Sequence, residues 1–335
     1  MYIACIDTGT TNTRVCIRDD KKVYTTIKKD VGVRITSIDG SNQKLLSAIH
    51  EAYQEALKDV GILETEIDII LASGMISSNL GAAEIPHLVS PVSMKDLADG
   101  IVPKIIPEIS NLHPIHFIPG VKNAANGVSP FQLDNLPFID MMRGEEVEAF
   151  GVLDLENIEK PAILILTGSH TKFVYVDETG TIQGCLTTMA GETLMQYTSS
   201  TIISKALNYD YARNVDIEYL LSGADTCAKM GLTRASFCVR TLEQFSTCTV
   251  EQRECYILGA VLEDDFKCVE NNSSFLDIDT CNLIVCGSGG LGDGLYALLK
   301  NKEKFANRTY KAKPETMQNL SSYGCFLVAK KAGLI

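Results

Sequence analysis

Cysteine pairs of the Cys-x-x-Cys kind are missing, although eleven cysteines run from Cys5 to Cys325, and none has a neighbouring histidine. Neither a zinc site, a disulfide framework nor an iron–sulfur centre is indicated. Small buried thiols in a reducing cytosol are the expected use. Positive charge is also short: Lys+Arg 30 against Asp+Glu 42 leaves a net charge of -12. That argues against a protein that grips a nucleic-acid backbone, and any anionic ligand must be held by local groups. No apolar run reaches membrane-spanning length, and the segment Met1 to Asn12 lacks the basic flank and apolar core of a signal peptide. A cytoplasmic protein is expected, with neither membrane nor nucleic acid as partner. What the chain does have is length: 335 residues, 45% of them hydrophobic, leave room for two cored domains.

Two short stretches read as variants of one device. Ile6-Asp7-Thr8-Gly9-Thr10-Thr11-Asn12-Thr13-Arg14 and Leu166-Thr167-Gly168-Ser169-His170-Thr171-Lys172 each follow an apolar run, turn on Thr-Gly with hydroxyl residues, and resume in β-rich sequence. Glycine lets backbone approach a ligand, and hydroxyls with successive turn N–H groups suit phosphate oxygens. Such a turn occurring once commonly just connects strands. Its repetition, with Arg14 and Lys172 at matching places after a one-residue gap, suggests a nucleotide held between two domains.

The remaining pattern is α/β. Met1 to Ile6, Arg14 to Arg18 and Lys22 to Lys28 predict a strand meander, followed by a helix over Gln43 to Val60 and a buried strand over Ile67 to Ala72. The loop Gly120 to Asp140 precedes a helix beginning near Gly144. The meander then restarts at Ala162 to Leu166, with helices expected over Glu192 to Leu207, Ile217 to Met230, Arg234 to Gln244 and Val250 to Leu262. The strand Leu283 to Cys286 enters a glycine loop, Gly287 to Gly294, before a helix at Leu295 to Lys300. Gly287, Gly289 and Gly292 fit the dinucleotide fingerprint, but too little chain follows for the rest of that fold. Gly287, Gly289 and Gly290 can instead let backbone pack against an adenine ring or a nucleotide's phosphates. In Met141-Met142-Arg143-Gly144-Glu145-Glu146-Val147-Glu148 the acids fit either of two uses, complementing a helix dipole or facing a transferred phosphate.

These residues carry a resemblance. Asp7 to Arg14, Ala72 to Gly81, Pro119-Gly120, Met142 to Glu146 and Thr167 to Lys172 resemble the 2-dehydro-3-deoxygalactonokinase family, of the sugar kinase, Hsp70 and actin superfamily. The likeness continues through Ala190-Gly191-Glu192, Phe237 to Arg240 and Leu258-Gly259-Ala260. It implies two ribonuclease-H-like (actin-like ATPase) domains around a central cleft, here placed at 1–143 for the sugar-acid site and 144–335 for the nucleotide site. The last helix is a candidate to cross back. It also implies transfer of the ATP γ-phosphoryl group to the terminal hydroxyl of a 2-keto-3-deoxy sugar acid in galactonate breakdown.

The resemblance, joined to phosphoryl-transfer chemistry, gives roles. Asp7, whose counterpart is Leu166, organises Mg²⁺ through water. Thr8, Gly9, Thr10, Thr11 and Asn12 cradle phosphates from one lobe, and Gly168, Ser169 and His170 from the other. His170 is equally a candidate for a structural hydrogen-bond partner. Lys172 neutralises transition-state charge or binds the substrate carboxylate. Glu145 is the expected base, with Glu146 its substitute at the substrate; Arg143 suits a sugar-acid carboxylate, and Ser77 and Asn79 suit its hydroxyls. The chain departs from the family pattern at Thr167, where proline is expected, at Phe173, where tryptophan is usual, and in a longer loop from Gly120 to Met141. An ATPase or activator of the same superfamily and a catalytically inactive sugar-acid-binding regulator are the alternatives. A homodimer is left open.

Overall fold

The computed structural model describes residues 1–123 and 133–335; residues 124–132 of the expected long loop lie outside them. The chain divides into two compact units, Met1–Ile158 with Gln318–Ile335, and Glu159–Met317.

In the first unit a meander of β1 (Tyr2–Thr8), β2 (Thr13–Arg18) and β3 (Val23–Lys29) leads through α1 (Arg34–Asp39) and α2 (Gln43–Val60) to β4 (Ile67–Gly74). There follow β5 (Leu88–Val89), α3 (Met94–Asp99), β6 (Val102–Lys104), β7 (Ile115–Phe117), β8 (Val121–Lys122), β9 (Met141–Met142) and α4 (Glu145–Leu155). The main sheet has the order β3-β2-β1-β4-β7-β6, and β5-β8-β9 form a small second sheet. β1 pairs antiparallel with β2 and parallel with β4. Its near-continuous apolar run reflects burial on both faces, whereas the edge strand β3 alternates. Against this sheet α2 presents Leu45, Ile49, Ala52, Tyr53 and Ala56, one face at helical spacing, and ends at Gly61 in the left-handed region, φ 78.

The second unit repeats the plan. β10 (Ala162–Leu166), β11 (Thr171–Val176) and β12 (Ile182–Thr188) form the meander, then come α5 (Ala190–Ser200), α6 (Ile217–Met230), α7 (Leu232–Phe245), α8 (Val250–Glu270), β13 (Asn282–Cys286), α9 (Gly289–Asn301), β14 (Thr309–Lys311) and α10 (Pro314–Met317). The sheet order is β12-β11-β10-β13-β14. Taken from the meander edge, it matches β3-β2-β1-β4-β7 strand for strand, with the same antiparallel and parallel senses. This is the ribonuclease-H-like topology, present twice.

Three expectations are corrected. The boundary falls after Ile158, not after Arg143, because α4 packs against the final helix α11 (Leu320–Lys331) of its own unit. A Cβ on Gly324 would lie 2.0 Å from the Val147 carbonyl oxygen, and one on Gly151 would lie 2.8 Å from Leu320 Cδ1, so the two helices meet nearly backbone to backbone. The helix expected over Glu192 to Leu207 stops at Ser200, with a separate 3-10 turn at Lys205–Leu207. The helix expected at Leu295 starts at Gly289. Glycine is a poor helix former, but a Cβ on Gly290 would meet the Ala212 carbonyl at 1.7 Å, and one on Gly294 would meet Leu258 Cδ2 at 2.8 Å. Close packing selects glycine here. The same holds for Gly259 in the Leu258-Gly259-Ala260 stretch, whose Cβ would lie 1.9 Å from the Leu220 carbonyl oxygen. That stretch joins α8 to α6.

Candidate active site

The turn after β1 begins where Thr8 faces Thr13 and Asp7 faces Arg14 across the ladder. Gly9 N donates to the Asn12 carbonyl at 2.8 Å, and Asn12 Nδ2 donates to Thr11 Oγ1 at 2.9 Å, leaving Thr10 and Thr11 exposed at the tip. Thr8 is fully buried, and Thr13 Oγ1 donates to the Val31 carbonyl at 2.8 Å. The turn is backed from behind. Val33 N and Arg34 N donate to the Gly9 and Thr10 carbonyls at 3.1 and 2.9 Å. Gly32 stands so close that its Cβ would lie 2.5 Å from the Gly9 oxygen.

Asp7 is the centre of an acidic pole. Its side chain is 20% exposed and its Oδ2 accepts from Arg14 Nη1 at 3.2 Å. Gly74, at φ 81, ends β4 beside it; a Cβ there would meet the Thr8 oxygen at 2.6 Å and Asp7 Oδ1 at 3.0 Å. Gly144, at φ 108, would place a Cβ 3.3 Å from Gly74 Cα. Two glycines in the left-handed region thus let the start of α4 come down onto the end of β4. That brings three glutamates to the pole. Glu145 Oε2 accepts from Arg143 N at 3.0 Å. Glu146 is fully buried, and both its oxygens accept from Gly144 N at 2.9 Å. Ser321 Oγ of α11 reaches Glu148 Oε1 at 2.8 Å and Asp7 Oδ2 at 3.4 Å. Burial pushes all three perturbed acids up: Asp7 despite Arg14, Glu148 to about 7 with the Asp7 charge adding to it, and Glu146 to about 8 with the Glu145 charge adding to it.

Arg143 is placed differently from its expected use. Nη1 donates to the Ser77 carbonyl and to Ser77 Oγ, both at 2.7 Å; Nη2 donates to the Ile85 carbonyl at 2.7 Å and to His87 Nδ1 at 3.3 Å. Four of the five guanidinium donors are thereby engaged, so a bidentate clasp on a carboxylate needs some of these bonds to open. Ser77 is fully buried and its hydroxyl also donates to the Gly74 carbonyl at 2.9 Å, while Asn79 is exposed.

In the second unit the turn after β10 repeats the geometry with other chemistry. Leu166 faces Lys172. Lys172 is 5% exposed and donates to Thr187 Oγ1. Gly168 is half-buried, and Ser169 and His170 are exposed, with His170 Nε2 3.0 Å from Glu192 Oε1. This turn too is backed by a glycine. A Cβ on Gly191 would lie 2.3 Å from the Gly168 oxygen, and Glu192 N donates to the Ser169 carbonyl at 3.0 Å. Gly287 abuts Thr167, where a Cβ would meet Oγ1 at 1.9 Å. Beyond it, Gly289 and Gly290 open α9 beside a cavity of about 430 Å³, walled by Tyr211, Ala212 and Arg213 on one side and Ser288 and Leu291 on the other. Its size suits a small molecule; the helix N-terminus favours an anion, while Asp210, which also lines the space and pairs with Arg213 at 2.9 Å, opposes one.

A family model for 2-keto-3-deoxy-galactonokinase matches residues 7–321. The chain belongs to that family. It is therefore a sugar-acid kinase, a phosphotransferase with an alcohol acceptor.

No curated protein matches the sequence. Among solved structures, a protein provisionally assigned as a 2-dehydro-3-deoxygalactonokinase from Sinorhizobium meliloti is similar, with TM-score 0.73, 18% identity and 98% of each chain covered. Component A of the (R)-2-hydroxyglutaryl-CoA dehydratase of Acidaminococcus fermentans follows with TM-score 0.52, 12% identity and 99% of each chain covered. The Clostridium difficile activator of 2-hydroxyisocaproyl-CoA dehydratase, with bound ADPNP, has TM-score 0.52, 13% identity and coverage of 99% of this kinase and 96% of that chain. At such identities the likeness speaks for the fold alone.

Sequence reasoning missed Gly32, Gly191 and Ser321 at this kinase's turns and pole, and gave Glu148 no use apart from the other acids that open α4. Gly191 and Glu192 stood inside a recognised motif without an assigned use. Gly32 follows an apolar Val31 in a stretch with no turn signature, and Ser321 is distant in sequence.

Proposed function

We propose that this kinase transfers the γ-phosphoryl group of ATP to the 6-hydroxyl of 2-dehydro-3-deoxy-D-galactonate, with Glu145 as base and Asp7 serving Mg²⁺. The observation that carries the reading is the acidic pole, where the Gly74–Gly144 contact sets the start of α4 against Asp7. Asp7 offers a partly exposed carboxylate at the end of a strand, and among the described residues no cluster of three or more His, Cys, Asp or Glu stands ready to cage a metal. That donor set fits Mg²⁺, which holds on to its waters and binds through one or two carboxylates plus substrate phosphates. When bound, the ion neutralises charge on the transferring phosphoryl group.

The protein's own groups do the rest. Glu145 and Glu146 are distinguished by environment. Glu146 is sealed and held neutral near pH 7 by burial, with both oxygens on Gly144 N, so it shapes the helix start. Glu145, half-buried at the first position of α4, is the more exposed carboxylate of the two and takes the 6-hydroxyl proton as the oxygen–phosphorus bond forms and ADP leaves. Backbone N–H groups of Thr10, Thr11, Ser169 and His170 serve phosphate oxygens, Lys172 offsets charge, and the cavity at Gly289 and Gly290 takes the nucleoside. Arg143 acts by holding Ser77 and the Ile85–His87 segment in place. Ser77, buried with its hydroxyl bonded to Arg143 and Gly74, is part of that support rather than a substrate contact, which leaves the exposed Asn79 for a substrate hydroxyl.

The test is coupled ADP release across 2-keto-3-deoxy aldonates and neutral sugars. Selective turnover of 2-dehydro-3-deoxy-D-galactonate is expected. Preference for a neutral hexose or for glycerol would remove the substrate assignment.

A further inference from the structure

Asp7 is steered by surprisingly few contacts. Its Oδ1 lies against Gly74, where only glycine leaves room, and its Oδ2 meets Arg14 and Ser321. Arg14 is 53% exposed, and a pair so open to water constrains little. With Cys5, Cys16, Ser73 and Ser321, Asp7 also lines a small cavity of about 30 Å³. The other contact of Oδ2 is the Ser321 hydroxyl. It is itself fixed, because Glu148 accepts its proton at 2.8 Å and α11 is pressed onto α4 through Gly324 and Gly151.

We infer that Ser321, held by Glu148, is a positioning residue for Asp7, which makes the carboxyl-terminal helix part of the metal-organising pole. The hydroxyl carries one proton and faces two carboxylates. The short bond to Glu148 Oε1 anchors Ser321 Oγ, and Asp7 Oδ2 shares the same proton through the longer contact at 3.4 Å, which opposes rotation of that oxygen away from the helix. The inference rests on the proposed role of Asp7 toward Mg²⁺, and concerns how that role is maintained.

The experiment follows binding of a fluorescent ATP analogue to the full chain as Mg²⁺ is raised, alongside the metal-free affinity and the melting temperature. Groups that orient a metal's ligands typically contribute about 10–100-fold to metal affinity, so Ser321→Ala is expected to raise the Mg²⁺ midpoint about tenfold with metal-free analogue affinity unchanged. Ser321→Thr keeps the hydroxyl and has the adjoining cavity to receive its methyl group, so it should stay within about twofold of wild type. Glu148→Gln retains an acceptor for Ser321 and should fall between the two. A Ser321→Ala midpoint equal to wild type overturns the inference. So does an equal loss with and without Mg²⁺ that tracks a fallen melting temperature, or failure of threonine to rescue. A wild-type chain whose analogue binding ignores Mg²⁺ would instead remove the kinase mechanism on which the inference stands.

Discussion

Asp7 and Leu166 occupy the same ladder position in the two units, each opposite a basic residue, Arg14 in one and Lys172 in the other. Around them the parts correspond. Gly74 ends β4 against its turn and Gly287 directly follows β13 against the other, and Gly32 and Gly191 both press on the turn from behind. One plan therefore supports two chemistries. In the first unit the carboxylate draws the basic residue to itself and gathers further acids from α4. In the second the ladder partner is an aliphatic side chain, and the lysine is buried beside Thr187 while the open space lies at the start of α9. The two turns differ in side chains at equivalent points on a common backbone, which is why they could be matched from sequence.

The most damaging way to test that division is to make the first turn copy the second. Asp7→Leu places in β1 what β10 already carries and should fit the buried strand end. Losing a group that organises charge at the reacting centre costs about 10²–10³ in rate, so kcat should fall at least a hundredfold while Mg²⁺-free nucleotide affinity changes little. Initial rates and equilibrium nucleotide titrations measure the two separately. Equal activity in wild type and Asp7→Leu would show that the asymmetry is not the functional one.

A comparison of neighbours on α4 comes next. Removal of a general base typically costs about 10²–10⁴, and Glu145→Ala is expected at the lower end, with Glu146→Gln nearly neutral in rate. The second substitution instead reads out in stability. Glu146 has its folded pKa raised to about 8 against 4.5. Its proton is held more tightly folded than unfolded, so its contribution is present below about pH 4.5 and is lost as pH rises through 8. Asp7 and Glu148 act in the same direction. The melting temperature of wild type should therefore fall from pH 5 to pH 9 more steeply than that of Glu146→Gln. Coinciding pH profiles would mean Glu146 is ionised in the folded chain, and would return it to contention as base.

Much of this was legible beforehand, for local reasons. Thr-Gly turns flanked by apolar runs announced both hairpins, and the missing acid at Leu166 was visible in the same alignment. The start of α4 was readable because Gly144 and three acids crowd one turn. Tertiary demands were hidden. Nothing near Gly32 signals that Gly9 and Thr10 will lie on top of it, and Ser321 meets Asp7 across a separation of 314 residues. Arg143 looked free for a ligand because its partners are mostly carbonyl oxygens, at Ser77 and Ile85, which leave no mark in sequence. The glycine stretch at 287–294 was read as loop since intrinsic propensity argues against a helix; packing against Ala212 and Leu258 reversed that.

The finest test of the correspondence uses the backing glycines. A methyl group at Gly32 would stand 2.5 Å from both the Gly9 and Thr10 oxygens, and one at Gly191 would stand 2.3 Å from the Gly168 oxygen and 2.7 Å from Ser169 Cα. In each case the obstacle is turn backbone, which must retreat as a unit, and misplacing a positioning element by about 1 Å can cost up to about 10²-fold. Gly32→Ala and Gly191→Ala should each raise the KM for ATP about tenfold, with the sugar-acid KM nearly constant. If both turns serve the nucleotide, the two variants behave alike. If only Gly32→Ala moves the ATP KM, the second turn is a connector that happens to share its partner's shape, and Ser169 and His170 lose their proposed part in phosphate binding.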